Sequence, residues 1–231
     1  MVNISSGINS QKASYIVFFD LDQTLAGSVS GRSLARAAYK RGFLHGWDVV
    51  NAVLNSVLYK LKLRDPARII DSMVSWVKGM PEPVFRELCT TVFASEILPA
   101  IYPEARKEIA FHRSGNARTV ILSSAVRYIC VSVADALGID DLICSDLEVR
   151  DGLLTGLPEG HICFGPEKAL RLKQYCKNMG YHESEAWYYG DSDADIPALS
   201  AVGHPVCVNP DRKLKKLASG KNWKTVAWNS N

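Results

Sequence analysis

The chain has 231 residues, 47% hydrophobic and 22% charged, with a formal net charge of +3. That length accommodates one well-sized core with an insertion, or two small domains. The small positive excess excludes an argument for nucleic acid or an acidic membrane surface as partner, and the basic run "PDRKLKKLASGKNWK" reads as a solvated helix face.

Taken in chain order, residues 1–14 contain no apolar run of the kind a signal peptide needs. "YIVFF" (15–19) is a short apolar run rich in β-branched and aromatic residues, and reads as a strand buried on both faces. Residues 30–97 carry helical periodicity, broken at Gly42, Gly46, Asp65-Pro66 and between Gly79 and Pro83. They are expected to form three or four helices packed as a small separate domain. Within them "GWDVVNAVLNSVLYKLKL" is interrupted by Asp48, Asn51, Asn55 and Lys60, too polar for a membrane span. A cytoplasmic enzyme or binding protein is expected.

"YPEARKEIAFHRS" then reads as a helix and "TVILS" (119–123) as a second buried strand. A whole strand–helix–strand unit needs only about thirty residues, so the distance from residue 19 to residue 119 requires an insertion. "DLEVRDGLLTG" (146–156) reads as a hairpin turning at Asp151-Gly152. "PEKALRLKQYCKNM" is helical, "AWYY" (186–189) and "PVCV" (205–208) are strands, and "KTVAW" (224–228) is a further candidate. Alternating strands and helices predict a parallel sheet covered on both faces.

Six cysteines, Cys89, Cys130, Cys144, Cys163, Cys176 and Cys207, form no CxxC pair and mostly lie in apolar runs. They are expected to be buried free thiols rather than disulfides or zinc ligands. His45, His112, His182 and His204 are read as surface or packing residues.

The chemistry gathers where strands end. Asp20 and Asp22 close the first strand, separated only by Leu21. Two unit charges about 4 Å apart repel by about 4 kcal/mol at an effective dielectric near 20, so a cation or a shared proton must offset them. A second acidic cluster, Asp191, Asp193 and Asp195 in "YYGDSDADIPAL", follows another strand. Carboxylates with no histidine or thiolate beside them suit a hard, oxygen-loving cation, Mg²⁺ first. Ser123 and Ser124 end the second strand, where hydroxyls and backbone N–H groups can meet an anion. Lys168 lies at a helix start, where the dipole disfavours a cation; an anionic site within its reach explains it better. Asp193, between the two outer aspartates, is expected to cap a turn.

In this order, "FFDLDQT", "ILSS", Lys168 and "GDSDAD" resemble the four motifs of haloacid dehalogenase superfamily phosphatases, in the branch that contains phosphoserine phosphatase (subfamily IB). The resemblance implies a Rossmann-like α/β core over residues 1–26 and 99–231, and an all-helical C1 cap over 27–98. It further implies that Asp20 is the nucleophile that forms an aspartyl-phosphate, and that Asp22 is the acid and base. Mg²⁺ would be held by Asp20, Asp191 and the backbone carbonyl of Asp22, with Asp195 orienting the metal shell or Lys168. Ser123, Ser124 and Lys168 would bind the phosphoryl group of a small phosphomonoester. Phosphoserine phosphatases use an acidic residue shortly after the first motif, but "AGSVSGRSL" offers Ser28, Ser30 and Arg32 instead. A contact from Arg32 suits an anionic leaving group and points away from strict phosphoserine specificity. Two alternatives stay open: a phosphotransferase or mutase on the same fold, and an inactive phosphate-binding protein.

Overall fold

The computed structural model describes residues 13–44 and 74–229. Six strands form one parallel sheet: β1 (Tyr15–Phe19), β2 (Ala117–Val126), β3 (Asp141–Ser145), β6 (Trp187–Gly190), β7 (His204–Val208) and β8 (Lys224–Val226). Their order is β3-β2-β1-β6-β7-β8, which puts β1 in the interior between β2 and β6. Strands β4 (Leu147–Arg150) and β5 (Leu153–Pro158) make a separate antiparallel hairpin. Asp151 and Gly152 both take positive φ at its tip, 51° and 76°, as the twist of a two-residue turn requires.

Alternation along β1 divides the core. Val17 and Phe19 face one apolar cluster, Ile16 and Phe18 the other, because successive side chains leave a strand on opposite faces. On the first face lie α3 (Pro103–Ser114) and α4 (Arg127–Leu137), through Ile109, Ile129 and Val133. On the second lie α5 (Pro166–Met179), α6 (Ile196–Leu199) and α7 (Arg212–Lys221), through Leu172, Leu199 and Leu214. The expected Rossmann-like sheet flanked by helices is what the chain forms.

Two helices of the inserted segment are described, α1 (Ser30–Lys40) and α2 (Glu82–Val92). Their apolar residues Leu34, Ala38, Phe85 and Leu88 belong to the same cluster as Val17 and Phe19. The hairpin grips the returning end of the insertion: Gly79 N–H donates to the Leu154 carbonyl (2.8 Å), Leu154 N–H to Met80 (2.9 Å) and Glu82 N–H to Gly152 (2.9 Å). Gly156 packs so tightly there that a Cβ would stand 2.9 Å from the Cβ of Lys78. The "GWDVVNAVLNSVLYKLKL" segment, the breaks at Gly46 and Asp65-Pro66, and His45 lie outside the described residues.

Two strands depart from the sequence reading. The edge strand β3 was not expected: its first three residues are only partly buried, so "DLICS" lacks the apolar run of its neighbours. Strand β2 continues past Ser123 to Val126, so Ser123 and Ser124 sit inside it rather than at its tip. The ladder to β3 nevertheless breaks there. Leu122 pairs with Ile143 and Val126 with Ser145, leaving Ser123, Ser124 and Ala125 opposite Cys144 alone. All six cysteines are free and buried.

Candidate active site

Register carries Asp20 to the site. Phe19 stands opposite Tyr189 of β6, and Asp20 N–H continues the pairing by donating to the Tyr189 carbonyl at 2.9 Å. One residue later β6 ends at Gly190 and the chain turns through Asp191. A Cβ at Gly190 would lie 2.7 Å from that of Asp195, so this glycine lets the following turn fold back against the strand. One carboxylate oxygen from each of Asp20, Asp191 and Asp195 lies within 4.8 Å of the others.

Lys168, in the first turn of α5, reaches into this cluster and is only 2% exposed. Its Nζ donates to Asp20 Oδ1 (2.8 Å), Asp195 Oδ1 (2.6 Å) and the Tyr188 hydroxyl (3.3 Å). Three donors are all an ammonium has, so Lys168 is saturated and can take another acceptor only by releasing one. The contact with Tyr188 is the longest and the easiest to give up.

Asp195 is fully buried. Its Oδ1 accepts from Lys168 and from the Tyr188 hydroxyl (2.6 Å). Its Oδ2 accepts from Asp191 N–H (3.2 Å), Ser192 N–H (3.2 Å) and Ser192 Oγ (3.1 Å). Burial disfavours its charge, but Lys168 and these donors outweigh burial and hold the carboxyl below its ordinary range. Both oxygens are occupied, which suits Asp195 to orienting its neighbours. Asp20 and Asp191 differ. Burial, helped by the adjacent carboxylates, raises Asp20 against the opposing Lys168, and pushes Asp191 up to about 8. One ammonium thus balances one carboxylate and leaves the others in electrostatic deficit. A hard divalent cation fits that deficit in donor type and charge, and Asp20 and Asp191 are the carboxylates free to bind it.

Asp22 faces the insertion. Its Oδ1 accepts from Ser30 N–H (2.8 Å) and its Oδ2 from Ser30 Oγ (2.9 Å), at the first turn of α1. Burial raises its pKa while the Ser30 bonds pull it down. Ser123 is buried and its Oγ accepts from Ala125 N–H at 3.3 Å. Ser124 is half-buried, and its carbonyl accepts from Ser145 Oγ. Arg32 stands exposed in the first turn of α1. Asp193 pairs with Lys213 at 2.7 Å on the surface, away from the carboxylate cluster.

The structure therefore gathers Asp20, Asp191, Asp195 and Lys168. Sequence reasoning missed Tyr188 and the role of Ser30. A signal for Tyr188 was present: adjacent tyrosines in a buried strand point to opposite faces, and each hydroxyl must find a partner. Tyr188 finds Asp195 and Tyr189 finds Glu108 at 2.6 Å. Nothing in "SVSGRS" marks Ser30 in advance over Ser28.

A parallel sheet whose strand ends gather carboxylates around one buried ammonium defines an α/β enzyme acting on an anionic group in the crevice beyond the strands. The family model for haloacid dehalogenase-like hydrolases matches residues 17–200, and the chain belongs to that family. A probable phosphatase of Mycobacterium tuberculosis (strain ATCC 25618 / H37Rv) is 27% identical over 225 residues, which cover 96% of this chain and 78% of that protein. A histidinol-phosphatase of Neisseria meningitidis serogroup C (strain 8013) is 27% identical over 216 residues, covering 90% and 96%. A solved phosphoserine phosphatase, described as a phospho-aspartyl intermediate analogue, superposes with a TM-score of 0.68 at 20% identity, covering 89% of this chain and 91% of that one.

Proposed function

We propose that this hydrolase cleaves small-molecule phosphomonoesters through an aspartyl-phosphate, with Mg²⁺ held by Asp20, Asp191 and the Asp22 backbone carbonyl. The convergence of Asp20, Asp191 and Asp195, two of them bonded to the ammonium of Lys168, carries this reading. It agrees with the phosphatases among the relatives.

In the first step an Asp20 oxygen attacks phosphorus and the bond to the leaving oxygen breaks, with Asp22 giving that oxygen a proton. In the second, water attacks the same phosphorus, Asp22 takes its proton, and the bond to Asp20 breaks to release phosphate. When bound, Mg²⁺ supplies positive charge to the attacking carboxylate and the transferring oxygens. Lys168 exchanges its Tyr188 contact for a phosphoryl oxygen and, with Ser123 and Ser124, stabilises the charge that develops there.

Residues 27–98 serve as the cap over a core of 1–26 and 99–231, excluding water between the steps. Arg32 offers an exposed cation to the leaving group, which favours an anionic or neutral substrate over phosphoserine. We place the reaction in the cytoplasm; as a separate matter, no helix among the described residues is long and apolar enough to cross a membrane. The test is Mg²⁺-dependent phosphate release from p-nitrophenyl phosphate. Asp20→Asn should abolish it, and activity persisting in that variant or in excess chelator would overturn the mechanism.

A further inference from the structure

We propose that Ser145 is a positioning residue for the phosphoryl-binding bulge of β2, an inference that rests on the phosphatase reading above. Ser145 is the last residue of the edge strand β3 and is 1% exposed. Its single hydroxyl donates to the Ser124 carbonyl at 2.8 Å and accepts from Cys163 N–H at 3.1 Å.

The first bond falls where the ladder has opened. Ser123, Ser124 and Ala125 bulge opposite Cys144, so regular strand pairing does not fix the peptide between Ser124 and Ala125. A trans peptide is planar and presents its C=O and N–H in opposite directions. On one side the carbonyl of Ser124 is taken by Ser145 Oγ; on the other, Ala125 N–H donates to Ser123 Oγ at 3.3 Å. The tilt of this one peptide therefore sets the direction of the Ser123 hydroxyl, and Ser145 sets the tilt. Bulges are known devices for re-aiming a side chain beside an active site.

The second bond ties the same hydroxyl to the loop that leads into α5. Cys163 lies two residues before Gly165, which opens that helix and so places Lys168. Arg171 of α5 fastens the same junction, donating to the Cys144 carbonyl (3.0 Å) and the His161 carbonyl (2.5 Å). Ser145 thus couples the bulge that holds Ser123 to the approach of Lys168. It has no bond to Asp20 or Asp191.

The experiment compares wild type with Ser145→Ala, and with Ser145→Cys, which keeps the volume but donates weakly. Steady-state hydrolysis of p-nitrophenyl phosphate, inhibition by inorganic phosphate and the Mg²⁺ concentration for half activity are measured on each. Loss of the hydroxyl's two buried hydrogen bonds, to the Ser124 carbonyl and from Cys163 N–H, predicts that KM and the phosphate inhibition constant rise at least about tenfold in S145A. S145C should fall between, with half-activating Mg²⁺ within about twofold of wild type. KM and phosphate inhibition unchanged in S145A, in an active enzyme, would overturn the role of Ser145 and leave the phosphatase reading standing. A parallel shift of Mg²⁺ requirement, kcat and melting temperature would also overturn it, since that marks general damage to the fold. Should S145A not fold, S145C carries the same comparison. A wild type that releases no phosphate from any monoester defeats the phosphatase reading, and this inference with it.

Discussion

Asp22 accepts both hydrogens that Ser30 can donate, one from its backbone and one from its hydroxyl, at 2.8 and 2.9 Å. The proposed acid is therefore oriented by the first turn of α1, which begins the insertion, and not by the sheet that carries it. Ser30→Ala removes one of the two bonds and frees the carboxyl to rotate. p-Nitrophenolate leaves without needing a proton, whereas an alkoxide needs one. Ser30→Ala should therefore cost about tenfold in kcat on an alkyl phosphate and little on p-nitrophenyl phosphate, and Asp22→Asn about 10²- to 10⁴-fold on the former. Equal losses on both substrates would detach Ser30 from proton transfer.

The electrostatic deficit at Asp20 and Asp191 makes a prediction about stability without catalysis. Mg²⁺ at 100 times its dissociation constant stabilises the folded chain by about 2.7 kcal/mol, which raises Tm by about 5–10 °C at this size. Asp191→Asn removes a proposed Mg²⁺ ligand and a repelling charge together. The variant should melt no lower than wild type in chelator, because a buried carboxyl pushed up to about 8 contributes nothing favourable there. It should also lose the rise with Mg²⁺. Thermal melts with and without the ion check both halves, and a variant that still gains stability from Mg²⁺ places the cation elsewhere.

Lys168 forms two buried ion pairs, and the one with Asp195, at 2.6 Å, is the shorter and the more deeply buried. Lys168→Met leaves Asp195 buried and uncompensated, at a cost of about 3–5 kcal/mol. Adding Asp195→Asn removes the stranded charge, and the double variant should recover part of that loss. Urea unfolding of the single and double variants gives the coupling; strictly additive losses would mean the pair is not coupled.

The strands nearest the site were legible because each is a short apolar run buried on both faces. "YIVFF", "AWYY" and "PVCV" lie within a residue of where the sheet places them. β3 was not legible, since an edge strand buries less and "DLICS" carries no periodicity. The carboxylates were readable from their position after those strands. Their partners were not: Ser30 meets Asp22 from eight positions further along the chain, and Ser145 meets Ser124 across a bulge. Contacts of that kind depend on where two backbones cross, and no local pattern of residue types records it.

His112, which the sequence marks as a surface or packing residue, is fully buried and links a polar chain. Tyr189 donates to Glu108 at 2.6 Å, so its oxygen accepts from His112 Nε2 at 2.8 Å, leaving Nδ1 to accept from the Tyr15 hydroxyl at 3.0 Å. Both ring nitrogens are satisfied by a neutral imidazole; a proton added to Nδ1 would face a hydroxyl that has to reverse. Burial lowers the pKa to about 4, with Glu108 opposing and Lys224 assisting. The unfolded imidazole titrates near 6.5, so below that pH the unfolded chain binds a proton the folded one refuses. Stability from this group is therefore full above about pH 6.5 and falls as pH drops towards 4, by about 3 kcal/mol in all. His112→Phe should unfold more easily at pH 7, because it strands the Tyr15 hydroxyl, yet lose less stability than wild type between pH 7 and pH 4.5. Denaturant midpoints at those two pH values decide it: equal losses in the two proteins would assign the acid sensitivity to other groups.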